Sequence, residues 1–186
     1  MLPIVLDVQN ARLVLMGEGA AITRRLALCD AAGARRVRLF APEPQAVLAK
    51  EARPRLRRRW PTLAELRAAR IVFIADMELK QAAVWARRAR AAGALVNVED
   101  VLPYCDFHMP AMVRRGDLLL TASTGGGSPA LARLIREKWQ KQFPPSWAAR
   151  LRAVERWRAA ARAEGATPSE IFTRTAARIA KKGWLT

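Results

Sequence analysis

The chain has 186 residues, 52% of them hydrophobic, enough for one full domain with an appendage and a sizeable core. No apolar run reaches the roughly 20 residues of a membrane span, the start Met1-Leu2-Pro3-Ile4-Val5-Leu6-Asp7 lacks the pattern of a secretory signal, and one histidine with two distant cysteines makes no zinc site; a soluble cytoplasmic protein with free thiols and no bound metal is expected. The net charge of +17 leaves three readings open: attraction of nucleic acid, attraction of a small polyanion, or solvated Arg-rich helix faces; no recognition motif accompanies the charge to favour nucleic acid.

Ala11 to Met16 predicts a buried strand, followed by Gly17-Glu18-Gly19 and a helix over Ala20 to Ala32 that Gly33 closes. Val37 to Phe40 predicts a second strand, stopped by Ala41-Pro42-Glu43-Pro44. Strand, glycine loop, helix and strand form a βαβ unit, hence a parallel sheet with a right-handed crossover. Gln45 to Glu51 predicts a short helix, and Arg53 to Arg59, broken by Pro54, a solvated basic connection. Thr62 and Glu65 have capping-box spacing at the start of another helix. A strand over Ile71 to Ala75, a helix over Glu78 to Ala92 closed by Gly93, and a strand over Leu95 to Val98 complete the alternation.

After Asp100 the pattern changes. Phe107 to Arg114 and Leu118 to Ala122 predict a hairpin around Arg115-Gly116-Asp117. Ser128 is placed to cap a helix with Pro129 at its first position, running to about Gln142. Helices over Trp147 to Ala163 and Pro168 to Lys182 follow, rich enough in Trp, Ile and Phe to need burial against the first domain or a second copy of the chain, a dimer being the economical reading. The expected fold is an α/β Rossmann-type parallel sheet with a β-hairpin dimerisation segment and a C-terminal helical region. Its expected divisions are 1–112 for the dinucleotide-binding domain, 113–145 for dimerisation and 146–186 for the helices.

Glycines 17 and 19, after a strand and before a helix, permit a tight turn and close approach of a pyrophosphate to the helix N-terminus. The third glycine position holds Ile22, whose bulk is expected to push the helix off the sheet, and Glu18 puts a negative charge in the loop. Glu43, after the second strand, is placed to accept hydrogen bonds from an adenosine ribose, which favours NAD. Asp100 lies at the C-terminal end of a parallel strand, where open α/β sheets bind ligands and a carboxylate can act as a general base; Asp106 and Asp117 are rivals. Thr124-Gly125-Gly126-Gly127-Ser128 offers backbone donors and hydroxyls to a carboxylate or phosphate, or is a hinge into a dimerisation helix.

Together these pieces resemble the precorrin-2 dehydrogenase family, which includes the N-terminal module of sirohaem synthase. The resemblance rests on Leu2-Pro3-Ile4, Val14-Leu15-Met16-Gly17-Glu18-Gly19, Ala41-Pro42-Glu43, Val96-Asn97-Val98-Glu99-Asp100, Phe107-His108-Met109-Pro110 and the run from Ser123 to Lys138. It implies a homodimer and NAD-dependent oxidation of precorrin-2 to sirohydrochlorin, in some members with ferrous iron insertion. It carries the catalytic aspartate onto Asp100, cofactor contacts onto Gly17, Gly19, Ala20, Ala21, Pro42 and Glu43, and the tetrapyrrole site onto Asn97, Thr124, Gly125, Gly126 and Ser128. Arg114, Arg115, Arg133 and Arg136 are candidates for the substrate's carboxylates. The chain departs from the family at Glu18 and Ile22, and has Ala75-Asp76-Met77 where Thr-Asp-Asp is usual. These departures motivate a second reading: a tetrapyrrole-binding relative that works without NAD as chelatase, carrier or sensor.

Overall fold

The computed structural model describes residues 2–185. They form two compact units, one ending at Met109 and the other beginning at Pro110.

The first unit is a five-stranded, all-parallel sheet of β1 (Arg12–Met16), β2 (Arg36–Phe40), β3 (Leu56–Arg57), β4 (Ile71–Ile74) and β5 (Leu95–Val98), in the order β3-β2-β1-β4-β5. The helices are α1 (Ala20–Ala31), α2 (Ala46–Glu51), α3 (Leu63–Ala68) and α4 (Leu79–Ala91). Side chains alternate across the sheet, so β1 sends Leu13 and Leu15 into one apolar layer and Val14 and Met16 into the other. Ile22, Leu26 and Leu48 fill the first layer, and Leu66, Ala82, Ala86 and Ala89 the second. Both faces are covered, as a parallel sheet requires.

Two expectations are corrected. The basic connection contains β3, where Leu56 and Arg57 pair with Leu39 and Phe40; two residues are too short for a periodic signal. Ile22 does not displace α1: it is fully buried in the core, against Gly17, whose missing side chain leaves the room. The Thr62–Glu65 capping box is present at α3.

The second unit opens on an antiparallel hairpin, β6 (Ala111–Arg115) and β7 (Leu118–Ala122), joined through Gly116 and Asp117. Phe107 to Pro110, expected as strand, precedes β6 as irregular chain. Helices α5 (Pro129–Gln142), α6 (Trp147–Ala163) and α7 (Pro168–Lys181) follow. The aromatics of this unit find one another: Trp157 stacks on Trp184 at 5.5 Å, Trp147 meets Trp184 at 6.3 Å and Phe143 at 5.1 Å, with Arg150 over both Trp147 and Trp184. Much of the apolar surface that the sequence left without a partner is thus covered within the unit, while Leu131, Leu134 and Phe172 stay exposed. Among the described residues no helix is long and apolar enough to cross a membrane.

Candidate functional site

In this strand order the chain leaves the sheet in opposite directions after β1 and β4, so the C-terminal ends of these two neighbouring strands form the topological switch point, where such sheets receive ligands. Gly17 follows β1 with φ +150°, and a Cβ there would lie 2.2 Å from the Ala75 carbonyl oxygen. The first glycine is therefore required by the neighbouring strand end. The second is required by Asp76: a Cβ on Gly19 would lie 2.9 Å from the Asp76 carboxyl carbon.

Asp76 is the residue whose role sequence reasoning missed. Its backbone is left-handed, with φ +51°, uncommon for a residue with a side chain. Its Oδ2 accepts the amides of Gly19 at 3.2 Å and Ile22 at 2.8 Å, and its Oδ1 accepts the amide of Ala21 at 3.2 Å. Helix α1 has no side-chain cap of its own, so a carboxylate from the adjacent strand end satisfies its orphan donors and faces the positive end of its dipole. The available signal was the uncapped start Gly19-Ala20-Ala21-Ile22, which must find acceptors elsewhere in the fold.

Glu18 clasps the end of β2. Its carboxylate accepts the Glu43 amide at 2.7 Å, and its carbonyl accepts the Gln45 amide at 2.8 Å. The Glu43 carboxylate is exposed and has no partner among the described residues, beside half-buried Pro42. A pyrophosphate at the N-terminus of α1 would draw on the amides that Asp76 holds, whereas the ribose end, at Glu43, is open to hydroxyl donors. The residues thus fit a dinucleotide, provided that Asp76 gives up its place.

Along the same sheet edge, Asp100 follows β5 with φ +60°. It is exposed, and its carboxylate has no hydrogen bond or ion pair among the described residues. Its neighbours are all engaged. Glu99 pairs with Arg24 at 3.1 Å and Arg25 at 3.5 Å, tying β5 to α1. Asp106, a rival in the sequence, accepts the Val96 amide and pairs with Arg90 at 2.8 Å. Asn97 is 5% exposed and its amide nitrogen donates to the Phe107 carbonyl at 2.9 Å, while its Oδ1 is buried without a hydrogen-bond partner among the described residues. In this structure Asn97 therefore fastens the chain after β5.

The Thr124 to Ser128 loop belongs to the second unit. Thr124 Oγ1 donates to the Ser128 carbonyl and accepts the Ser128 amide, each at 3.1 Å, and Ser128 Oγ caps α5 by accepting the Leu131 amide. The Thr124 hydroxyl thus shapes the loop and the Ser128 hydroxyl starts the helix. Gly125 and Gly126 have positive φ and are exposed, and the Gly126 amide is unpartnered among the described residues. Of the candidate arginines, Arg115 is committed to the end of α5, donating to the Phe143 carbonyl at 2.7 Å, and Arg133 pairs with Glu137. The Arg114 guanidinium has no hydrogen-bond or ion-pair partner among the described residues. Nor do those residues include any group of three or more His, Cys, Asp and Glu that could hold a metal ion.

A family model described as "Putative NAD(P)-binding" matches residues 4–111. The chain belongs to this family. It is 31% identical over 151 residues to the siroheme synthase of Nitrosococcus oceani, covering 78% of this chain and 32% of that protein. It is 35% identical over 146 residues to the siroheme synthase of Methylococcus capsulatus, covering 77% of this chain and 31% of that protein. The chain spans about a third of the length of these relatives. Among solved structures, SirC, a precorrin-2 dehydrogenase, superposes with a TM-score of 0.75 over 100% of this chain and 93% of its own, at 21% identity. The likeness shows that the two share a fold.

Proposed function

We propose that this chain is an NAD-dependent precorrin-2 dehydrogenase, oxidising precorrin-2 to sirohydrochlorin in siroheme formation. The observation that carries the proposal is Asp100, an unpartnered carboxylate held in a left-handed turn at the C-terminal end of a parallel strand. The oxidation removes one hydride and one proton from the macrocycle. Asp100 accepts the proton as general base. NAD supplies the hydride acceptor, and Gly17, Gly19, Ala20, Ala21, Pro42 and Glu43 would hold it. The Gly126 amide, with Thr124, Gly125 and Ser128 shaping its loop, and Arg114 are the groups proposed to receive the substrate's carboxylates. Asn97 sets the position of the chain around Asp100. The net charge of +17 draws a polycarboxylate towards the protein. The exposed Leu131 and Leu134 on α5 suit pairing with a second copy, as a homodimer in the cytoplasm.

Asp76 favours one alternative. Its carboxylate on the α1 amides suits an NAD-independent tetrapyrrole-binding relative acting as chelatase, carrier or sensor. Purified protein given precorrin-2 and NAD separates the two. The dehydrogenase forms NADH and sirohydrochlorin, and Asp100→Ala lowers kcat by about 100-fold or more while NAD affinity changes less than about twofold. Full activity in the folded Asp100→Ala protein would remove Asp100 from the chemistry. Absence of turnover in the wild-type protein would leave the NAD-independent reading.

A further inference from the structure

We infer that Asp76 is the determinant of cofactor affinity in this chain: its carboxylate is the resident anion of the dinucleotide seat and must leave before a pyrophosphate enters. The inference rests on the NAD reading above and deepens it. The Gly19, Ala21 and Ile22 amides point at one place, and the Asp76 carboxylate holds all three. This arrangement is built into the backbone. Asp76 adopts φ +51° to reach the helix, and Gly19 must be glycine to admit it. Three of the donors that usually make a helix N-terminus an anion site are thus satisfied before any ligand arrives. Glu18, fixed on the Glu43 amide, adds another carboxylate to the same glycine loop. An entering diphosphate, itself dianionic, therefore meets like charge unless Asp76 swings away, and its swing gives up three hydrogen bonds. Removing the carboxylate should therefore strengthen cofactor binding, the reverse of what removal of a ligand contact does.

The test is calorimetric titration of the full chain with NAD and with ADP-ribose, on wild type, Asp76→Ala and Asp76→Asn, beside thermal unfolding without ligand. Asp76→Ala should bind NAD at least tenfold tighter and melt lower than wild type when free of ligand. Asp76→Asn keeps an acceptor oxygen without the charge and should also bind tighter; it decides the matter if the alanine variant does not fold. ADP-ribose should follow NAD, since the diphosphate and ribose make the contacts. Wild type binding NAD as tightly as the folded variants, or more tightly, overturns the inference and leaves the NAD reading intact. Failure of wild type and both folded variants to bind NAD overturns the inference together with that reading.

Discussion

Alanine at Gly17 should unsettle the first unit more than its single methyl suggests. The new Cβ would sit 2.2 Å from the Ala75 carbonyl oxygen, a backbone atom at the end of a buried strand that has no side-chain freedom to retreat. To reach ordinary contact the ends of β1 and β4 must part by about 1 Å. Two bonds fasten that corner, Gly17 N–H to the Phe40 carbonyl at 3.2 Å and Ala75 N–H to the Met16 carbonyl at 3.0 Å. Losing both costs about 2 kcal/mol, and forcing alanine to φ +150° adds about 1–3 kcal/mol. A total of about 3–5 kcal/mol is a large part of a domain's stability, and lowers Tm by about 6–20 °C for a chain of this size. Gly93→Ala is the control: it shares a positive φ of +89° but meets nothing within 4 Å, so it should cost about 1 kcal/mol. Scanning calorimetry of the two variants measures the difference. If Gly17→Ala melts within a degree or two of Gly93→Ala, the close approach of the strand ends is not the reason for glycine.

Other outcomes follow from the ionisable groups. Arg59, hydrogen-bonded to Glu65, pulls the Glu65 carboxyl from the usual 4.5 down to about 2 against the opposing effect of burial, and Thr62 helps. Because the folded value lies below the unfolded one, this contribution is full above about pH 4.5 and fades as the pH falls towards 2. Glu65→Gln should lower Tm at neutral pH and flatten its decline across that acid window; a decline as steep as that of wild type would contradict the assignment. Burial, with Asp30 adding to it, pushes the Cys29 thiol up to about 12. A thiol reagent at pH 8 should therefore leave Cys29 unlabelled in the native chain and label it in denaturant, read by peptide mass spectrometry.

Much of the fold was legible because the parallel sheet is written in continuous apolar runs. Leu95–Val98 and Leu118–Ala122 have the bounds the pattern predicts, and the helices opened by Ser128 and by Thr62 begin where their capping residues stand. What escaped is tertiary. Strand β3 is made by its neighbour β2, and its two residues carry no period of their own. The usual motif has a small residue where Ile22 stands, yet the space that Ile22 fills is set by Gly17 and the sheet behind it. The candidate site was legible at Asp100, because a strand end is a local feature, and at the glycine loop. The contact that Asp76 makes with that loop was not, since Asp76 reaches it from 54 to 57 residues away. The hydroxyls of Thr124 and Ser128 suggest ligand donors, but that of Thr124 closes the loop on Ser128 and that of Ser128 caps α5.

The proposed reaction moves a hydride from precorrin-2 to NAD while a carboxylate takes the proton. The most direct measurement is the stoichiometry of wild-type turnover, following NADH and sirohydrochlorin in the same reaction under anaerobic conditions. The two products should rise together in equal amounts and stop when either substrate is exhausted. Sirohydrochlorin forming without NADH, or neither forming with folded protein, would contradict it.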